Sequence, residues 1–261
     1  MKKILKNLTM GLVVLAIIVG VVGCNKKDTA SNDNEIVIGY DNTYLPMGYL
    51  DDKGNTVGFD VDLAKETFKR LNMDVRFQSI DWSMKETELN LGNIDAIWNG
   101  YSLTEERKAK FAYTDAYMEN SQLIVTLKDS SIKNKEDLKG KIIGTQQGSA
   151  GQEALEEDTE ILNSLDGSPI LYDTFDKVFR DLEAERIDAI VGDETLIKYY
   201  ISKKGEEKYK ILDDNFGTQD YVVAFRKDDN ELRDKVNKTI NEIKKDKTFD
   251  EIYNKWFGKN K

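Results

Sequence analysis

The 261-residue chain contains no histidine and a single cysteine, Cys24. Without histidine, Ser-His-Asp and Cys-His catalysis are excluded, and so are His-ligated metals. One thiol makes neither an intrachain disulfide nor a set of thiolate ligands. Any catalysis would have to rest on carboxylates, Lys, Tyr or Ser. Positive charge is also short: 38 Lys and Arg face 48 Asp and Glu, for a formal net charge of -10. Such a chain is a poor candidate for nucleic acid, whose phosphates call for basic patches. These absences favour a binding protein with no catalytic group, no metal and no cofactor.

Apolar character is concentrated at the N-terminus. Lys2, Lys3 and Lys6 precede an apolar run from Gly11 to Val22. That is short for a spanning helix, which needs roughly 20 residues, and fits a secretory signal. The run ends in Val21-Val22-Gly23-Cys24, which resembles a lipobox, where the thiol is diacylated and residues 1–23 are removed. An uncleaved anchor helix followed by a buried cysteine is the alternative. Residues 24–34 are polar and read as a flexible tether. Two acyl chains on Cys24 would hold the protein at the outer face of the cell membrane. Loss of Lys2, Lys3 and Lys6 with the signal would move the charge from -10 to about -13. The 238 residues left by removing 23 from 261 suffice for two lobes with separate cores.

Two segments echo one another. Leu89 to Ile97 ends in Ile94-Asp95-Ala96-Ile97, and Leu182 to Ile190 ends in Ile187-Asp188-Ala189-Ile190. Each reads as a helix end, a turn and a buried strand, as if both lobes held the same unit. Around them strands and helices alternate. Strands are expected at 36–40, 75–77, 94–98, 141–144, 187–191 and 221–225. Helices are expected from Asp60 to about Asn72, at 84–91, through Leu155, and at 175–184, 194–202, 232–243 and 249–256. The pattern predicts α/β lobes with mainly parallel sheets, which bind ligands at the carboxyl ends of their strands.

The loops at those ends carry polar groups of both signs. After the strand at 94–98 come Asn99-Gly100-Tyr101-Ser102-Leu103-Thr104-Glu105-Glu106-Arg107. Thr104 is a natural N-cap, and Arg107 occupies the third helical position, where a capping box would place Glu or Gln. A cation there calls for compensation, either by a ligand carboxylate or by a surface Glu or Asp. Gln146-Gln147-Gly148-Ser149 joins a strand to a helix and offers amides and a hydroxyl. Asp193, after the strand at 187–191, is either a helix cap or an acceptor for a ligand ammonium. Asp41 and Tyr44, after the first strand, either line a pocket or form an Asx-type turn with a partly buried tyrosine. Together these loops complement a zwitterion, with Arg107 for the carboxylate and Asp193 for the ammonium.

With Asp41-Asn42-Thr43-Tyr44-Leu45-Pro46, Gly58-Phe59-Asp60-Val61-Asp62-Leu63-Ala64, Gly100 to Arg107, Asp137-Leu138-Lys139-Gly140-Lys141 and Gln147-Gly148-Ser149, the chain resembles the polar amino acid-binding proteins of ABC importers. The likeness runs from Glu35 to Phe257. It implies the type II periplasmic-binding fold, two lobes joined by extended hinge crossovers that close over a free polar amino acid, then deliver it to a membrane permease. Lobe one would hold residues 35–120 and 223–261 and lobe two 126–217, with hinges near 121–125 and 218–222. The implied ligand contacts are Arg107 and Ser102 on the α-carboxylate, assisted by amides at Ser102 and Ser149, and Asp193 with the Gly100 carbonyl on the α-ammonium. Tyr44 and Phe59 would be aromatic walls, and Asp41 would meet the far end of the side chain; Asn99 and Gln146 complete the expected set. Arginine, lysine and ornithine rank first as ligands, glutamine and histidine next. A few relatives of this fold dehydrate cyclohexadienyl acids, but nothing marks Glu119 or Asp41 as the acid that chemistry needs. The protein is expected to be a monomer without nucleic-acid partners.

Overall fold

The computed structural model describes residues 34–258. The signal segment 1–23, Cys24 and all of the tether except Asn34 lie outside the described residues.

The first half of the chain forms β1 (Glu35–Tyr40), β2 (Thr43–Tyr44), β3 (Gly48–Leu50), β4 (Thr56–Val57), α1 (Phe59–Arg70) and β5 (Asp74–Ser79). A 3-10 turn at Trp82–Met84 then leads into α2 (Lys85–Asn90), β6 (Ala96–Ser102), α3 (Glu105–Lys110), β7 (Ala112–Tyr113) and β8 (Met118–Leu127). The second half forms β9 (Ile143–Gln146), α4 (Ala150–Glu157), α5 (Thr159–Ser164), β10 (Ile170–Tyr172), α6 (Phe175–Glu183) and β11 (Ala189–Asp193). It closes with α7 (Glu194–Lys204), β12 (Tyr209–Phe225), α8 (Asn230–Lys245) and α9 (Thr248–Phe257).

The fold is α/β. The large sheet runs β10-β9-β11-β8-β12-β6-β1-β5, with β7 beside β12, while β2, β3 and β4 form a separate small sheet. β1 is parallel to β5 and β6, and β9 is parallel to β10 and β11. Between these two parallel blocks, β8 and β12 pair antiparallel from Leu127 with Tyr209 to Met118 with Tyr221. The segments expected as hinges lie inside these two long strands, where Ser121 pairs with Thr218.

The sequence echo has a structural counterpart. Asp95 Oδ2 accepts from the Val37 amide at 2.9 Å, and the Asp95 amide donates back to the Val37 carbonyl at 2.7 Å. Asp188 does the same with Ile142, at 2.8 Å in both directions. In each block an aspartate therefore fastens the chain to the neighbouring strand just before the buried strand begins. This shifts the strands: β6 and β11 start at Ala96 and Ala189, two residues after the isoleucines expected to open them.

Asp60 departs from expectation as well. α1 begins at Phe59, one residue before the expected start, and Asp60 lies in its first turn, fully buried. Its carboxylate accepts from the Gly100 amide at 2.7 Å and the Tyr117 hydroxyl at 3.0 Å. Asp60 and Asp62 in the first turn and Lys69 and Arg70 in the last still suit the helix dipole. Among the described residues no helix is long and apolar enough to cross a membrane.

Candidate functional site

The loops that leave the carboxyl ends of both parallel blocks meet over the middle of the sheet. Gly100 shows how tightly. Its φ is 57°, and a Cβ there would lie 2.8 Å from Tyr44 Cε1, so only glycine suits the bend after Asn99. Gly148, with φ 70°, brings its loop so close to the first block that a Cβ would sit 2.9 Å from Ser83 Cα.

Arg107 is 2% exposed despite its charge. Thr104 caps α3 as expected, its hydroxyl accepting from the Arg107 amide at 3.3 Å, which fixes the start of the helix. The guanidinium lies 4.5 Å from the Tyr101 ring centroid. Nη1 donates to the Ser102 carbonyl at 2.8 Å, and Nη2 donates to the Gly148 carbonyl at 3.2 Å and to Glu153 Oε1 at 2.5 Å. Glu86 stands 3.7 Å from Nε, and Nε is buried without a hydrogen-bond partner. Arg107 thus has carboxylate partners within the protein, and one of its donors is still unused. Ser149 caps α4, accepting from the Gln152 amide at 3.2 Å.

Asp193 gathers a cluster of donors. It accepts from the Tyr44 hydroxyl, from Asn120 Nδ2, from Gln122 Nε2 at 2.7 Å and from Ser102 Oγ at 3.4 Å. It stands at the N-cap of α7 without making a side-chain cap, so the cap alternative does not hold, and its oxygens accept from protein side chains. Burial raises its pKa, while hydrogen bonds from Tyr44 and Gln122 pull it back.

At the far side, Asp41 forms the expected Asx-type turn and also reaches the second block. Oδ1 closes the turn, accepting from the Thr43 amide at 2.8 Å and hydroxyl at 2.7 Å, and Oδ2 accepts from Gln146 Nε2 of the second block at 2.6 Å. Burial, aided by the charge of Asp173, raises its pKa. Asn99 Oδ1 accepts from the Asp41 amide at 3.0 Å, and Asn99 Nδ2 and Gln146 Oε1 are buried without partners.

One expected wall is misplaced. Phe59 is wholly buried among Tyr117, Phe249, Tyr253 and Phe257, with ring centroids 5.3–6.4 Å away, because the inward face of α1 packs it under α9. The ring facing Tyr44 is Trp82, with centroids 6.4 Å apart and planes 13° from parallel. Trp82 follows the carboxyl end of β5, so strand-end reasoning reaches it too. Asn120 and Gln122 sit on β8, where an extended crossover gives no signal of a site.

Opposite charges, amides and paired rings from both parallel blocks face one another along a buried seam, an arrangement that suits a binding protein for a small polar molecule. The profile of the bacterial extracellular solute-binding proteins, family 3, matches residues 36–259, and the chain belongs to that family. The family is one of substrate-binding transport proteins rather than enzymes, although one similar solved structure is that of a precursor of cyclohexadienyl dehydratase. The chain is 31% identical to the lysine/arginine/ornithine-binding periplasmic protein of Escherichia coli K12, over 95% of this chain and 97% of that one. It is 33% identical to the histidine-binding periplasmic protein of the same strain, over 87% of this chain and 89% of that one. Among solved structures, an ABC uptake transporter substrate-binding protein from Streptococcus pneumoniae with bound histidine superposes with a TM-score of 0.84. It is 39% identical over 87% of this chain and 94% of that one. The fold is accordingly the type II periplasmic-binding fold.

Proposed function

We propose that this protein captures a free L-amino acid with hydrogen-bond donors at the end of its side chain and presents it to an ABC permease. Arginine, lysine and ornithine rank first, with glutamine next. The observation that carries this reading is the disposition of three charged side chains, all less than a tenth exposed: Arg107 in α3, Asp193 at the end of β11 and Asp41 at the end of β1. Arg107, with Ser102 and the Ser149 amide, takes the α-carboxylate. Asp193 and the Gly100 carbonyl take the α-ammonium. Tyr44 and Trp82 flank the side chain, and Asp41, Asn99 and Gln146 read its end. The buried carboxylate of Asp41 and the unpartnered Gln146 Oε1 suit a guanidinium, ammonium or amide, the unpartnered Asn99 Nδ2 can serve an amide oxygen, and the charge of Asp41 penalises a carboxylate. The relatives named for lysine, arginine, ornithine and histidine support a side chain that carries nitrogen donors, histidine ranking beside glutamine.

Residues 35–120 with 223–261 form one lobe and 126–217 the other, and they close by bending near 121–125 and 218–222. The contacts between the blocks, Gln146 with Asp41 and Glu153 with Arg107, support this reading of jaws that close. The protein acts as a monomer, held to the outer face of the membrane through acyl chains on Cys24.

Arg107→Ala tests the site. Removing one partner of a buried hydrogen-bonded charge pair costs about 3–5 kcal/mol, or roughly two to three and a half decades of affinity. Calorimetry should find no micromolar binding in that variant, and wild-type affinity there would refute the assignment. Arg107→Lys should also fail substantially, since a point charge cannot replace the guanidinium fork. For the anchor, metabolic labelling with a fatty-acid analogue should mark the wild type and not Cys24→Ala. A labelled variant, or an unlabelled wild type, would exclude acylation at Cys24.

A further inference from the structure

Lys85, the first residue of α2, is 3% exposed, a burial that no other lysine among the described residues approaches. Its Nζ donates to the Gly148 carbonyl at 2.7 Å, the same oxygen that accepts from Arg107 Nη2 at 3.2 Å. It also lies 5.2 Å from the Trp82 ring centroid. Two cations of the first block thus converge on one carbonyl of the turn that presents Ser149. Glu86, Glu106 and Glu153 act on Lys85 through space, but its hydrogen bond goes to a carbonyl, and among the described residues no carboxylate lies within ion-pair distance of it. Burial, followed by the neighbouring guanidinium, brings its pKa down to about 7. A buried cation beside a second one is costly unless an anion compensates both. Glu153 and Glu86 stand 2.5 and 3.7 Å from the Arg107 guanidinium and answer its charge, whereas Lys85 has only the carbonyl, and Arg107 Nε remains without a hydrogen-bond partner.

We propose that Lys85 is the second cation of the ligand-carboxylate site, seating the Gly148–Ser149 turn behind Arg107 and setting the preference for a carboxylate over a neutral group at that position. The inference rests on the reading of Arg107 given above and deepens it. Lys85 acts through the turn and through its field, so it is a positioning and specificity residue rather than a direct ligand contact.

The test compares arginine with argininamide, and histidine with histidinamide, by calorimetry at pH 6.5, where the ligand α-amine is still largely protonated. Wild type should prefer the carboxylate form strongly. In Lys85→Met that preference should fall about tenfold or more, as expected for a charge removed from a partly desolvated site. Lys85→Arg should retain most of it. Unchanged melting temperatures would certify both variants as folded. Equal weakening of acid and amide in Lys85→Met would make Lys85 a fastening only and overturn the proposal, as would an unchanged preference. Wild type binding neither arginine nor histidine at all would instead sink the amino acid reading on which the proposal rests.

Discussion

Asp60 shows how a single buried carboxylate ties the core to the site. Burial pushes its pKa from 3.8 up to about 7, against the pull of the Gly100 amide and the Tyr117 hydroxyl. Between those values the folded protein holds a proton that the unfolded chain has given up, so stability falls as pH rises through that window and levels off above it. Urea unfolding at pH 5 and pH 8 should show wild type losing more stability than Asp60→Asn, which has nothing to titrate there. An equal loss in both would mean that Asp60 stays ionised throughout. Much of the candidate site is legible residue by residue: Asn99, Gly100, Ser102, Gln146 and Asp193 lie in the last residues of β6, β9 and β11, and Asp41, Arg107 and Ser149 come after β1, β6 and β9. Phe59 illustrates the limit. Its motif is recognisable, but a phenylalanine at a helix start can face a pocket or the core, and the choice depends on α9, nearly 200 residues further along. Glu153 and Lys85 were out of reach for a similar reason, because a Glu- and Lys-rich surface does not reveal which charges become buried where two blocks meet.

At the level of elements, the repeated Ile-Asp-Ala-Ile is the most informative pattern, and its physical content is the aspartate. Asp188 fastens the start of the second block by a bond from the Ile142 amide at 2.8 Å, and Asp188→Ala would leave that amide unsatisfied. The loss should be about 1–3 kcal/mol in chemical denaturation, with ligand affinity unchanged because the aspartate lies at the opposite end of β11 from Asp193. No destabilisation would mean that the shared motif is incidental. Boundaries were less legible than existence. β12 runs for 17 residues, yet only its last five are uniformly buried. Its exposed stretch, including Asp213, Asp214 and Asn215, carries no apolar alternation, so the pairing with β8 that holds it extended could not be read from hydropathy. The short β2, β3 and β4 lie below the length at which any periodicity shows.

For the molecule as a whole, two parallel blocks joined through an antiparallel pair explain why the proposed cleft collects groups from so many strands. Parallel strands bring their carboxyl ends together, and β8 and β12 set one block opposite the other. The central claim is that this cleft holds an amino acid by both backbone charges and selects a side chain ending in donors. Competition calorimetry on wild type and Asp41→Asn tests it most directly, with arginine, lysine, ornithine, glutamine, histidine, glutamate and aspartate as ligands. The account predicts that a cationic amino acid binds tightest, that glutamate and aspartate bind last, and that Asp41→Asn weakens arginine more than glutamine. Glutamate or aspartate binding tightest, or no amino acid binding at all, would contradict it.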